Sequence, residues 1–246
     1  MADQEPGPAV VWLVRHGESV GNLADAHARR SGAGRLDLDI RDPDVPLSDT
    51  GRAQAEALGR WLAALPADER PTAVLSSPFE RALTTARLAT ADLGLRVRVD
   101  ERLRERDFGA FDRMTGDGIR EQFPDEAARR DLLGKFYYRP PGGESWADVA
   151  LRIRSLLATE ALRHDCERLV VVAHQAVVMV FRYVLEELTE QELLEADREE
   201  QVANASITRY EREESGDFRL VVFNEVDHLV AEHEDVTEEP DAAPQP

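Results

Sequence analysis

The feature that most constrains this chain is a set of short apolar runs that stop abruptly on polar residues. Ala9–Val14 is uninterrupted and ends at Arg15-His16-Gly17; Thr72–Leu75 leads into Ser76-Ser77-Pro78; Leu169–Ala173 ends at His174. Runs of this length without polar alternation read as strands buried on both faces. Helical patterns separate them. Ser48 to Leu65 places Leu58, Trp61 and Leu62 on one face and has Pro66 beyond its end. A second helix is predicted from Pro78, sitting in its first turn, to about Ala91. Ser145-Trp146-Ala147-Asp148 is a capping-box pattern opening a helix to about Arg163, and further helices are predicted at Gln175–Glu187 and Glu190–Ala196. Leu95–Val99 alternates as a half-buried strand does. Ser206–Glu211 and Phe218–Asn224, joined by Glu214-Ser215-Gly216-Asp217, predict a terminal hairpin. Strands alternating with helices imply an α/β fold with a mostly parallel central sheet and helices on both faces. Ligands of such sheets bind at the carboxyl ends of the strands, so the three polar clusters are expected to converge on one rim.

Composition narrows the function. With 246 residues, 42% of them hydrophobic, the chain can bury one sizeable core, expected over residues 9–231. Residues 1–8 and the acidic, proline-rich 232–246 have little to bury and are predicted to be disordered. A net charge of -19 argues against a nucleic-acid binder, which needs a basic face. It does not argue against an anionic substrate, because a few arginines can dominate one pocket. The single cysteine, Cys166, excludes an intrachain disulfide or a cysteine-based zinc site, and a structural role is expected for it. No run of about 18 apolar residues predicts a membrane span, and Met1–Pro8 lacks a signal-peptide pattern, so the cytoplasm is the expected compartment. The sequence does not specify an oligomeric state.

The chemistry concentrates at Arg15-His16-Gly17-Glu18-Ser19, with Asn22 nearby. A histidine directly after a buried strand is held near the rim, and Gly17 permits close backbone approach to a ligand. Arg15 and Asn22 can donate hydrogen bonds to anionic oxygens, arginine bidentately. A neutral His16 can attack phosphorus, while Arg15, Arg81 and His174 would place positive charge on the phosphoryl oxygens. Neighbouring cations should keep His16 neutral. That charge takes the place of a metal ion, and no cofactor is expected. On pattern alone Arg81, beside Glu80 and Arg87, reads equally as a solvated ion pair. Glu105 lies in the mixed charge run Glu101 to Asp107, with Glu101 and Asp107 as rival carboxylates. His27, His164, His228 and His233 are predicted to lie on the surface, and Trp61 and Trp146 in the core.

These segments together resemble the histidine phosphatase, or phosphoglycerate-mutase-like, superfamily, whose signature is Arg-His-Gly. Across about residues 9–225 the resemblance continues through Leu47-Ser48-Asp49-Thr50-Gly51-Arg52-Ala53-Gln54-Ala55, Ser76-Ser77-Pro78-Phe79-Glu80-Arg81, Leu103-Arg104-Glu105-Arg106-Asp107-Phe108-Gly109 and Val171-Val172-Ala173-His174. It implies that His16 is the phosphorylated nucleophile, that Arg81 is the second phosphate-binding arginine, that Glu105 is the proton donor, and that His174 is the second histidine. It implies a small-molecule phosphate ester as the partner, with neither nucleic acid nor membrane involved. Tyr138-Arg139 followed by Pro140-Pro141-Gly142-Gly143-Glu144-Ser145, and Gln175 after His174, are similar to the fructose-2,6-bisphosphatase subgroup. They make Tyr138, Arg139 and Gln175 substrate-binding candidates alongside Arg15, Gly17, Asn22 and Arg81. The chain departs from that subgroup at Gly142, Met179 and Phe123, which weakens the case for its bisphosphate substrate. A metal-independent phosphomonoesterase is the leading expectation; a mutase-type phosphoryl transfer, a fructose-2,6-bisphosphatase and a non-catalytic phospho-ligand module are the alternatives. The insertion Ala26–Asp44, rich in Arg and Asp, borders the motif loop and is a candidate for shaping specificity.

Overall fold

A computed structural model describes residues 7–160 and 166–238. Its strands are β1 (Val10–Arg15), β2 (Ala73–Ser76), β3 (Val97–Val99), β4 (Arg168–Ala173), β5 (Ile207–Arg212) and β6 (Phe218–Glu225). They form one sheet in the order β3-β2-β4-β1-β5-β6. Pairing is parallel from β3 through β2 and β4 to β1, and antiparallel from β1 through β5 to β6, so the expected hairpin is present at one edge. The helices are α1 (Val20–Ser31), α2 (Asp49–Ala64), α3 (Glu80–Ala89), α4 (Gly116–Gln122), α5 (Pro124–Tyr137), α6 (Trp146–Glu160), α7 (Gln175–Leu185), α8 (Glu190–Glu199) and α9 (Asp227–Ala231).

The unbroken apolar character of β1 and β4 follows from two covered faces. Val11, Leu13, Leu169 and Val171 pack on one side with Val149 and Ile153 of α6 and Val177, Val178 and Phe181 of α7. Trp12, Val14, Val170 and Val172 pack on the other with Leu58 and Leu62 of α2 and Ala82, Ala86 and Ala89 of α3. Alternate residues of one strand thus supply two separate cores, which is why no polar residue interrupts either strand. The capping box at Ser145 forms as expected, with Ser145 N donating to Asp148 Oδ2 at 2.8 Å and Asp148 N to Ser145 Oγ at 3.2 Å.

Backbone contact between the loop after β1 and the start of α2 admits no side chain. A Cβ on Gly17 would lie 2.3 Å from Gly51 O, and one on Gly51 would lie 1.9 Å from Glu18 O. Ser48 N donates to Glu18 O at 2.9 Å. Ser48 Oγ donates to Glu18 Oε1 at 2.6 Å, and Glu18 N donates to Gln54 Oε1 at 2.8 Å.

Several expectations are corrected. Pro78 precedes the helix, whose N-cap is Phe79 and first residue Glu80; Phe79 N donates to Ser77 Oγ at 3.2 Å. The expected extension of α6 to Arg163, and His164, lie outside the described residues. Pro8 is buried, although residues 1–8 were expected to be disordered. Residues 232–238 fall within the segment expected to be disordered, yet they make defined contacts. Gln54 Nε2 donates to Asp235 O at 2.8 Å and Thr237 Oγ1 at 3.0 Å, Asn204 N donates to Thr237 O at 2.8 Å, and Arg60 pairs with Glu232 at 3.0 Å. Composition misses this because the contacts run through two main-chain oxygens, one threonine hydroxyl and one exposed ion pair. His228 is buried against Trp61, with ring centroids 6.2 Å apart, and burial pushes its pKa down to about 4. His27 and His233 are exposed as expected.

Gln54 therefore ties the loop after β1 and the 235–237 segment to α2. Gln54→Leu would leave the buried Glu18 N–H unpaired, and urea denaturation should show a loss of about 1–3 kcal/mol. A chain ending at Glu234 should lose less, and the two changes together should lose less than their sum, because they share partners. A neutral Gln54→Leu would remove this role.

Candidate active site

The parallel register brings three strand ends to within one residue of the same level. Arg15 pairs with Ala173 and Ser76 with Val172, so His16, His174 and Ser77 each stand one residue past a strand end. The main chain pins them there: His16 N donates to Ala173 O and Ser77 N to Val172 O, both at 3.0 Å. The expected convergence of the three polar clusters is what the structure shows.

The His16 and His174 rings lie 5.1 Å apart at 63°. His16 Nδ1 donates to Gly17 O at 2.7 Å, which places the ring proton on Nδ1 and leaves the lone pair on Nε2. His174 Nε2 lies 2.8 Å from Ser77 Oγ, and His174 Nδ1 is buried with no partner among the described residues. Phe79 wedges the site, 5.2 Å from the His174 ring and 5.1 Å from the Arg81 guanidinium carbon. The pKa of His16 is held well below 6.5, first by burial, then by Arg81 and Arg15, with the Gly17 hydrogen bond opposing. That of His174 is lowered by burial, then by Arg81, His16, Arg152 and Arg15. Burial thus outweighs the cations that the sequence credits with keeping His16 neutral. His174 contributes hydrogen bonding rather than the positive charge expected of it.

A cavity of about 280 Å³ opens beside His16 and Arg81, lined also by Asn22, Glu105 and Gln175 among others, with the fully buried His174 behind its wall. Glu105 Oε1 accepts from Arg106 N at 2.7 Å. Of the three rival carboxylates, Glu105 reaches the cavity; Glu101 and Asp107 are exposed and do not line it. Arg15 is buried behind His16, with Nη1 donating to Val202 O. Asn22 Oδ1 accepts from Ser19 N at 2.9 Å and Ser19 Oγ at 2.8 Å in the cap of α1, which turns its NH2 end out of the cap. Gln175 Nε2 donates to Gln201 Oε1 at 2.7 Å.

Three candidates are placed differently from expectation. Gly17 approaches Gly51 rather than the cavity. Tyr138 is buried and donates to Glu126 at 2.9 Å, and Arg139 is exposed and paired with Asp148, its Nε 2.9 Å from Oδ2. Neither lines the cavity. The sequence places Ser77 at the rim without pairing it to His174, and it misses Thr85 (whose Oγ1 accepts from Gly17 N at 3.1 Å) and Asp42. Asp42 holds Arg81 Nη1 through its main-chain oxygen at 2.7 Å and its Oδ1 at 2.9 Å. Its only sequence signal is a place in a charged insertion. Among the described residues no group of three or more His, Cys, Asp or Glu side chains could hold a metal ion, and no helix is long and apolar enough to cross a membrane.

The model of one protein family, the histidine phosphatase superfamily (branch 1), matches residues 11–226. Phosphoglycerate mutase-like protein AT74H of Arabidopsis thaliana is 32% identical over 197 residues, which cover 71% of this chain and 64% of that protein. The 6-phosphofructo-2-kinase/fructose-2,6-bisphosphatase of Gallus gallus is 32% identical over 185 residues, 75% of this chain and 34% of that protein. The chain thus spans less than two thirds of the length of these curated relatives. A solved mycobacterial glucosyl-3-phosphoglycerate phosphatase superposes with a TM-score of 0.71 at 28% identity, covering 89% of this chain and 99% of that one.

Both rim histidines should be neutral at pH 6.5, the ordinary imidazole value, and should gain protons only well below it. Nitrogen-15 NMR of the imidazoles, assigned with His16→Ala and His174→Ala, reads this directly. A His16 ring half-protonated at or above pH 6.5 would contradict the burial argument.

Proposed function

The chain belongs to the histidine phosphatase superfamily, and on that premise we propose that it hydrolyses a small phosphate monoester through a phosphohistidine on His16. The observation that carries this reading is a buried imidazole whose Nδ1 is tied to Gly17 O, whose Nε2 keeps its lone pair, and which shares a cavity with Arg81 and Glu105. The names of relatives that refer to fructose-2,6-bisphosphate and to glucosyl-3-phosphoglycerate support a small phosphorylated substrate.

His16 Nε2 attacks phosphorus as the bond to the alcohol oxygen breaks, and Glu105 gives that oxygen its proton. Arg15 and Arg81 balance the charge spread over the phosphoryl oxygens. With the Ser77 hydroxyl donating to His174 Nε2, the His174 ring proton sits on the unpartnered Nδ1 and donates to a phosphoryl oxygen. Water then attacks the phosphoimidazole, the Glu105 carboxylate takes a proton from it, and inorganic phosphate leaves. No step calls on a metal ion. A mutase would return the phosphoryl group to an alcohol instead, so measured phosphate release separates the two.

Rapid quench with a labelled ester should trap acid-labile, base-stable phosphate on the protein, and His16→Ala should abolish both trapping and turnover. Near-wild-type turnover by His16→Ala would sink the mechanism. Glu105→Gln should slow the burst on alkyl phosphates by about 10²–10⁴-fold and the burst on p-nitrophenyl phosphate far less, because nitrophenolate needs little protonation. Equal losses on both would take the acid role from Glu105.

Asp42 competes with the substrate for Arg81. Asp42 is more than a third exposed, and pairs in such settings contribute about 0.2–1 kcal/mol. Asp42→Asn should therefore tighten competitive inhibition by inorganic phosphate by about two- to fivefold. Weaker inhibition would show that Asp42 positions Arg81 rather than competing for it.

A further inference from the structure

Two segments meet at the catalytic cavity and bring to it apolar side chains that the cores do not use. In Leu36-Asp37-Leu38-Asp39-Ile40 the three apolar residues line the cavity, while both aspartates are exposed. Phe108 and Met114 line it from the segment that follows Glu105. None of these five belongs to either sheet core or to the small cluster between α2 and α9. Ile40 and Phe108 remain 36% and 42% exposed. An alternating segment ordinarily turns its apolar half into a core. Here that half is turned to the space that holds His16 and Glu105.

The two segments are tied to each other. Leu36 N donates to Arg113 O at 2.8 Å, Arg113 Nη1 donates to Leu38 O at 2.7 Å, and Arg35 bridges to Met114 through the main chain. At one end the apolar surface adjoins Glu105, three residues before Phe108. At the other, Ile40 stands two residues before Asp42, which holds Arg81 Nη1 at 2.9 Å. The surface thus runs from the proposed proton donor to an arginine assigned to the phosphoryl group. A group that covers it is therefore joined to phosphorus through the alcohol oxygen. Polar side chains of the same cavity are meanwhile occupied with one another: Arg29 pairs with Asp25 at 2.6 Å and Lys135 with Asp197.

Building on the phosphatase reading, we propose that Leu36, Leu38, Ile40, Phe108 and Met114 form a subsite for an apolar leaving group, so that the substrate is the phosphate monoester of a short alkyl or aryl alcohol. Release of water from these side chains supplies the affinity. A polyhydroxylated alcohol would instead bring hydroxyls to a surface with no partners for them. Size limits the chain. The cavity of about 280 Å³ lies at the small end of ligand sites, which run ~300–1,000 Å³. It suits a short chain or a single ring and excludes a lipid tail.

A series of n-alkyl phosphates tests this, because the alcohols are alike in acidity and only the apolar length changes. A fully buried methylene is worth about fourfold, so hexyl phosphate should exceed ethyl phosphate by about tenfold or more in kcat/KM, mostly through KM. The double variant Leu38→Asn/Ile40→Asn should flatten the series, and Leu38→Met should retain it. A flat series in the wild-type protein, or a slope that survives the double asparagine variant, overturns the proposal. So does a preference for glycerol 3-phosphate or 3-phosphoglycerate over hexyl phosphate; the latter would give the alcohol half to Arg106 and its neighbour Arg130. Phosphate release from ethyl phosphate tests the phosphatase reading separately. Calorimetry with ethylphosphonate and hexylphosphonate, which have no ester bond to break, tests the subsite without turnover. Hexylphosphonate should bind about tenfold or more tightly, with the more negative heat-capacity change, and equal affinities refute the subsite.

Discussion

Parallel pairing of β1 and β2 with β4 makes Arg15 and Ala173 finish at one level with Ser76 one residue short of it, and the placing of His16, Ser77 and His174 depends on that register. A slip of one residue would send His16 or His174 to the opposite face of the sheet. The register is held by two apolar cores of different composition, one on each face, so a slipped strand would exchange Trp12 for Leu13 in cavities shaped for the other. The site inherits its rigidity from this packing. His16 and His174 are held by main-chain hydrogen bonds at their own amides or by neighbours that are themselves strand ends. Their burial, which the sheet enforces, keeps them neutral in a site that also contains arginines.

The charge economy of the molecule follows from that burial. A chain of net charge -19 has carboxylates to spare, and it uses them to pair nearly every arginine and lysine around the cavity. In the proposed mechanism the cations left for a phosphoryl group are those the fold makes hard to reach from outside: Arg15, buried beside His16, and Arg81, shared with Asp42. A site built this way attracts anions over a short range and does not present a basic surface. This reconciles an acidic protein with an anionic substrate.

How much of this was legible in the sequence divides along a physical line. Strands buried on both faces leave continuous apolar runs, and the residues after them are where a sheet of this kind presents side chains. His16 and His174 could therefore be singled out before any coordinates, whereas Arg81, and Glu105 over Glu101 and Asp107, are selected only by the resemblance to the family's motifs. What stayed hidden depends on contacts between segments far apart in the chain. Tyr138 and Arg139 look like substrate ligands, yet Glu126 and Asp148 take them. Asp42 looks like one acid among many until Arg81 is seen beside it. His228 carries no sign of burial in its acidic surroundings, and residues 235–237 are held through main-chain oxygens and one threonine hydroxyl that composition does not register.

The insertion after α1 shows the division of labour between strands and loops. In Leu36-Asp37-Leu38-Asp39, Leu36 and Leu38 line the cavity while Asp37 and Asp39 are exposed, an alternation like that of a strand although no long strand forms. The segment is fastened to the far side of the cavity: Leu36 N donates to Arg113 O at 2.8 Å, Thr115 N to Gly34 O at 3.2 Å, and a Cβ on Gly118 would fall 1.9 Å from Gly34 O. One end of the insertion therefore sets an apolar wall opposite Phe108 and Phe111, and its other end delivers Asp42 to Arg81. Strand ends, which cannot move without breaking two cores, hold His16 and His174, the residues to which the proposed mechanism gives the phosphoryl chemistry. Loops, whose partners are mostly each other, form the rest of the cavity wall, so sequence changes can accumulate there without disturbing His16.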